Sequence, residues 1–104
     1  KTLFTKDWIP HPSNPLFTDV SKARMAGKIV NFDNRTYRFA QNGSKRYGYG
    51  MQLLEIKEIS KTKFSEKNIQ FIYPNWSDDL VATHTFNQTN RLSVIDGLIR
   101  RPKL

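Results

Sequence analysis

The chain has no cysteine. That excludes a disulfide staple, a thiolate nucleophile and cysteine-ligated zinc, although it does not fix the compartment. Histidine is almost as scarce, with only His11 and His84 far apart in sequence. Two separated imidazoles do not make a ligand set, so neither a metal nor another cofactor is expected. No segment approaches the roughly 18 to 20 consecutive apolar residues that cross a bilayer as a helix, and no signal-peptide pattern opens the chain. A membrane span is therefore not expected, and a cytoplasmic setting is favoured. The first residue is Lys1 rather than methionine, which suggests an excised or processed piece of a longer protein.

What is present suits one small unit. The 104 residues, 38% hydrophobic and 12% aromatic, are enough for a single modest core and too few for a second domain. Acidic residues are outnumbered, and the formal charge of +8 with a pI near 10.0 raises nucleic acid as a partner. The distribution argues against it. Lys22, Arg24 and Lys28 form one group, Lys45 and Arg46 another, and Lys57, Lys61, Lys63 and Lys67 surround a turn, with Arg100 and Arg101 near the end. On alternating strands such scatter reaches several faces, and lysine is mostly solvated wherever it lies. Four Asn-x-Ser/Thr triplets begin at Asn34, Asn42, Asn75 and Asn87, each at an expected turn. In an Asn- and Lys-rich chain, chance accounts for them.

The stretch from Ala23 to Ile59 decides the fold. Gly27 releases the chain, Lys28–Phe32 runs extended, Asp33-Asn34 turns it, and Thr36–Ala40 returns with Tyr37 and Phe39 on one face. Met51–Ile59 reads either as a helix with a broad, imperfect apolar stripe or as a strand. The strand is preferred, because glycines precede it and hairpin-like neighbours flank it. A further strand spans Phe64–Tyr73, stopped by Pro74. Asn75–Leu80 is a polar loop. Val81–Phe86 and Arg91–Ile95 then form a second hairpin, and Leu98–Arg101 a last short strand. Prolines 10, 12 and 15 forbid long regular pairing near the start, so residues 1–22 form an ordered loop lying across a sheet, with one helical turn conceivable at Ser21–Met25. The expected fold is all-β: antiparallel meander sheets in one module over 1–104, with the loop at 1–22, a four-stranded meander at 23–74, and a second hairpin and tail at 75–104.

Several short motifs recur in a fixed order: His11-Pro12-Ser13-Asn14-Pro15, Ala23-Arg24-Met25-Ala26-Gly27, Tyr37-Arg38-Phe39-Ala40-Gln41, Tyr47-Gly48, Glu66, His84 and Val94-Ile95-Asp96-Gly97. Over Trp8 to Arg101 this order resembles the propeller-like domain at the N-terminus of glucosamine inositolphosphorylceramide transferases, with bacterial relatives of which some are joined to formyltransferase-like domains. The resemblance implies one or two blades of a five-bladed propeller. The partners it implies are a carbohydrate or sugar-phosphate ligand, the remaining blades or domains of a parent protein, or a second copy covering open edges. The chain departs from the pattern at Gln41-Asn42-Gly43-Ser44, where relatives tend to carry an acidic residue and a cysteine.

For a ligand surface the candidates are Arg24, Arg38, Gln41, Tyr47 and His84, with His11, Glu66 and Asp96 secondary. Sugar hydroxyls need donors, acceptors and a flat apolar face, and arginine also grips phosphate or carboxylate through two parallel hydrogen bonds. The structural alternative is that Arg38 and Gln41 pin the hairpin to the Pro-rich loop and that Tyr47 belongs to the core. Glycoside hydrolysis needs two carboxyl groups about 5 to 10 Å apart with contrasting protonation. Glu66 sits between lysines and Asp96 before Gly97 suits a turn, so catalysis by this chain alone is not expected. Tyr47-Gly48-Tyr49-Gly50 lacks the lysine and helix start of a phosphate loop and reads as a mobile aromatic loop. The leading reading is a noncatalytic carbohydrate-associated module of a glycan-modifying or glycosyl-transferring protein. The alternative is a basic β-domain that binds single-stranded nucleic acid.

Overall fold

The computed structural model describes residues Leu3–Lys103. Among them every regular element is a strand, and no helix is long and apolar enough to cross a membrane. The main sheet starts with β1 (Arg24–Met25) and β2 (Val30–Phe32), continues through β3 (Arg35–Asn42) and β4 (Gly50–Ile59), and ends at β5 (Phe64–Ile72). All pairings are antiparallel; β1 and β2 share one side of β3, then β4 and β5 follow in order. The antiparallel run β2–β5 follows the expected four-strand order, and β1 is a fifth strand that was not expected.

Asp33 and Asn34 take φ of 51° and 59°, and Phe32 pairs with Arg35, so β2 and β3 close through a two-residue loop. Positive φ at both central positions gives the mirror-image turn whose twist matches that of the flanking strands, and Asn and Asp tolerate it best after glycine. β4 is a strand because it has a partner along each side, from Asn42↔Gly50 to Thr36↔Ile56 and from Met51↔Ile72 to Ile59↔Phe64. The helical alternative would leave the polar backbone of both neighbours unpaired.

Residues opposite each other in the register share a face. Arg38, Leu54, Ile56 and Glu66 therefore lie on one side of the sheet, while Phe39, Met51 and Leu53 lie on the other. The second side holds the core: Ala26, Phe39 and Met51 are buried, with Val30, Leu53, Ile72 and Phe86 packed around them. The first side is met by residues 11–17 of the Pro-rich segment; residues 1 and 2 of the loop expected over 1–22 lie outside the described residues. Phe17 meets Phe64 edge-on at 5.5 Å, and His11 Nε2 lies 2.9 Å from the carbonyl of Ser60. The conceivable helical turn lies earlier, where Lys22 and Ala23 donate to the Asp19 carbonyl, and Arg24–Met25 is already strand.

The C-terminal part differs from the expectation. Val81–Phe86 is not one strand but two: β6 (Leu80–Ala82) pairs with β9 (Leu98–Ile99), and β7 (Phe86–Gln88) pairs with β8 (Ser93–Ile95). The break falls at Thr83–Thr85, which turns toward Asp96 instead of continuing the ladder. β7 docks in the gap between β1 and β2, where Phe86 donates to the Ala26 carbonyl and Lys28 donates to Asn87 Oδ1. Gly27 makes this approach possible, since a Cβ there would lie 1.9 Å from the Phe86 carbonyl oxygen. The sheets formed by the described residues are open, and they do not close into a ring.

Candidate functional site

Arg24 and Gln41 stand opposite each other in the β1–β3 register, which brings both to one end of the sheet. With Tyr47, Gly48, Asn42 and Gly43 they line a cleft of about 350 Å³. Among the described residues Arg24 has no ion pair and no side-chain hydrogen bond, and the acidic side chains do not line this cleft. Its guanidinium is thus the cleft's formal charge. Gln41 Nε2 donates to the Met25 carbonyl at 3.1 Å, which fixes the amide and leaves its Oε1 as an acceptor.

The wall of the cleft comes from the β3–β4 loop, which is held in place at several points. Asn42 Oδ1 accepts from the backbone and hydroxyl of Ser44 at 3.0 and 2.6 Å, an Asx turn, while Gly43 donates to the Val20 carbonyl. Gly48 has φ of 74° and lies so close to Ala82 that a Cβ would come within 2.7 Å. Its carbonyl accepts from Thr83, and Arg46 donates to the Val81 carbonyl at 2.7 Å. The loop expected to be mobile is tied to both neighbouring segments. Tyr47 remains 70% exposed on it, so its ring is a surface face and not part of the core.

The Tyr47 ring meets that of His84 edge-on, with centroids 5.2 Å apart. His84 is held by Asp96: carboxylate Oδ1 accepts from the backbone N–H of His84 and of Thr85 at 2.8 and 2.7 Å, and Oδ2 pairs with His84 Nδ1. The buried Thr83 hydroxyl donates to the Asp96 carbonyl at 2.8 Å. Burial raises the Asp96 carboxyl pKa, but the two backbone donors and the His84 ring together outweigh it and hold the group below the usual value. Asp96 and Gly97 link β8 to β9 without the turn read from the sequence, and the Asp96 side chain organises the β6–β7 break instead.

Arg38 and Glu66 meet at the middle of the sheet, away from this cleft. Arg38 Nε and Nη2 reach the two Glu66 oxygens at 2.7 and 2.8 Å, and Nη2 also donates to the Lys22 carbonyl. The Phe17 ring lies 4.6 Å from the guanidinium carbon, and the two side chains are only 4% and 5% exposed. Here the pinning role weighed for Arg38 is visible in the contacts, and Gln41 pins β1 in the same way. His11 is more distant. It sits by Ser60 past the far end of β4, about 30 Å from the cleft at ~3.3 Å per strand residue. Its Nδ1 accepts from the Ser13 N–H at 3.1 Å, so Nε2 carries the hydrogen donated to Ser60.

The structure thus brings Arg24, Gln41 and Tyr47 together, sets His84 against Tyr47 with Asp96 behind it, and places Arg38, Glu66 and His11 elsewhere. Asn42, Gly43 and Gly48 were not among the ligand candidates read from the residues. The Asn-Gly-Ser triplet carries an Asx-turn signal that could have marked the loop as structured.

Fold and site define an all-β module with a small open cleft at one end of its main sheet. The family model for glucosamine inositolphosphorylceramide transferase 1, N-terminal, matches residues 2–93, and the chain belongs to that family. The family's name associates the module with a glycosyl-transferring protein. No curated protein and no solved structure matches the chain.

Proposed function

We propose that this chain is a noncatalytic module of a glycan-modifying or glycosyl-transferring protein, and that the Arg24–Gln41–Tyr47 cleft binds a sugar or sugar phosphate. One observation carries the reading: a guanidinium unpaired among the described residues, a fixed amide and an exposed aromatic ring meet at a single cleft. Together they supply a charge for phosphate or carboxylate, polar partners for hydroxyls and a flat face for a sugar ring. Two facts support a noncatalytic role. Glu66 is engaged by Arg38 beneath Phe17, and Asp96 is engaged by backbone donors, so these carboxyl groups do not flank a common cleft. The outer edge of β5 is left for further strands of a parent protein or for a second copy.

The test is a glycan array that includes neutral and phosphorylated saccharides, with a salt series and single-stranded oligonucleotides as controls. The reading requires saccharide binding that Arg24→Ala weakens, by about tenfold or more for phosphorylated ligands. Binding confined to oligonucleotides and falling steeply with salt would replace it with the nucleic-acid alternative. Silence in every arm would leave a scaffold.

A further inference from the structure

The pairing of His84 with Asp96 leaves one ring nitrogen free. Asp96 accepts at both oxygens, and an ionised carboxylate has no hydrogen to give. Nδ1 must therefore supply the hydrogen of the pair, and in a neutral imidazole the other nitrogen is then an acceptor. Among the described residues Nε2 has no hydrogen-bond partner, and the side chain is 30% exposed. His84 does not itself line the cleft; it borders it through Tyr47, whose ring it meets edge-on and which belongs to the cleft wall. Arg24 gives the cleft charged donors, and Gln41 Oε1 is an acceptor on its opposite strand.

We propose that Asp96 is a positioning residue that fixes His84 as the Nδ1–H tautomer, making Nε2 an acceptor for a hydroxyl of the saccharide bound against Tyr47. This rests on the saccharide reading above. It adds a requirement to that reading: the ligand must present a hydroxyl at one particular position, and an analogue lacking only that hydroxyl leaves no donor for Nε2. Sites built around such a hydrogen bond discriminate strongly, because the unpaired partner is left desolvated.

Two readouts test the proposal. The first is long-range ¹H–¹⁵N correlation of the imidazole at about pH 8, where an ordinary histidine is neutral. The wild type should show the Nδ1–H tautomer. In Asp96→Asn the amide oxygen still accepts from the His84 and Thr85 backbones, but the amide nitrogen faces Nδ1 as a donor, so the hydrogen should move to Nε2. A carboxylate that merely braced the β6–β7 break would leave the tautomer unchanged in D96N.

The second readout is calorimetric titration of methyl glycosides, hexose phosphates and their monodeoxy analogues. One monodeoxy analogue should bind the wild type about tenfold more weakly than its parent, D96N should weaken the parent comparably, and the two losses should not add. An Nε2–H tautomer in the wild type overturns the inference alone, as does undiminished binding by D96N. A wild type that binds none of the panel overturns the saccharide reading and removes the hydroxyl partner with it. Should D96N not fold, the wild-type tautomer and the monodeoxy series decide the matter without it.

Discussion

Removing the carboxylate from Glu66 should cost this protein a large share of its stability. Both members of the Arg38–Glu66 pair are almost fully buried and share two hydrogen bonds of 2.7 and 2.8 Å. Glu66→Ala leaves a guanidinium beneath Phe17 with only the Lys22 carbonyl and the Met25 sulfur for contact. Breaking one partner of a buried pair costs about 3–5 kcal/mol, against a total stability of about 5–15 kcal/mol for a small domain. The few buried apolar side chains among the described residues, Ala26, Phe39, Ala40, Met51, Leu54 and Ile56, place this chain toward the lower end. With an m-value near 2 kcal/mol/M, the urea midpoint should fall by about 2 M. The double variant Arg38→Met with Glu66→Leu should recover most of the loss, because an apolar pair of similar volume avoids the desolvation cost and can pack against Phe17. The reasoning is refuted if Glu66→Ala costs less than about 1 kcal/mol, as an exposed pair would, or if the double variant equals the sum of the singles.

Other expectations follow from the same contacts. Gly27→Ala should undock β7, because its Cβ cannot share space with the Phe86 carbonyl; thermal melting should drop by several degrees, and the Lys28 amide should lose hydrogen-exchange protection. Asn34→Gly should raise the melting temperature slightly, worth a few tenths of a kcal/mol, because glycine meets the positive φ at that position without strain. For Asp96 the folded pKa lies below the unfolded one, so its stabilisation is complete above the unfolded value near 3.8 and is lost as pH falls through the lowered folded value. The melting temperature of Asp96→Ala should therefore converge on that of the wild type as pH falls below about 4, and a constant offset would count against that assignment.

Much of the sheet was legible because its signals are local. Asp33-Asn34 announced the turn, Tyr37 and Phe39 marked the core face two residues apart, and the neighbours of Met51–Ile59 favoured a strand over a helix. The covering loop was legible from its prolines. The C-terminal ribbons were not, because Val81–Phe86 carries the composition of a single strand while its path is set by the carbonyl and carboxylate of Asp96, 11 to 13 residues away. Arg38 looked like a ligand group for a related reason. Its partner Glu66 is 28 residues distant and flanked by lysines, and only the sheet register brings the two together. The cleft was partly legible: Arg24, Gln41 and Tyr47 were named from the sequence, but the backbone loop that joins them depends on long-range ties to Val20, Ala82 and Thr83. The family was visible in the order of its motifs.

The most direct measurement is amide chemical-shift mapping of the ¹⁵N-labelled wild-type protein titrated with methyl glycosides and hexose phosphates. Binding at the cleft should move the resonances of Arg24, Gln41, Gly43, Tyr47 and Gly48 together along one saturable curve, and Arg24→Ala should flatten it. Shifts confined to the β5 edge or the Pro-rich segment, or no shifts with any saccharide, would contradict the assignment of a sugar site to this cleft.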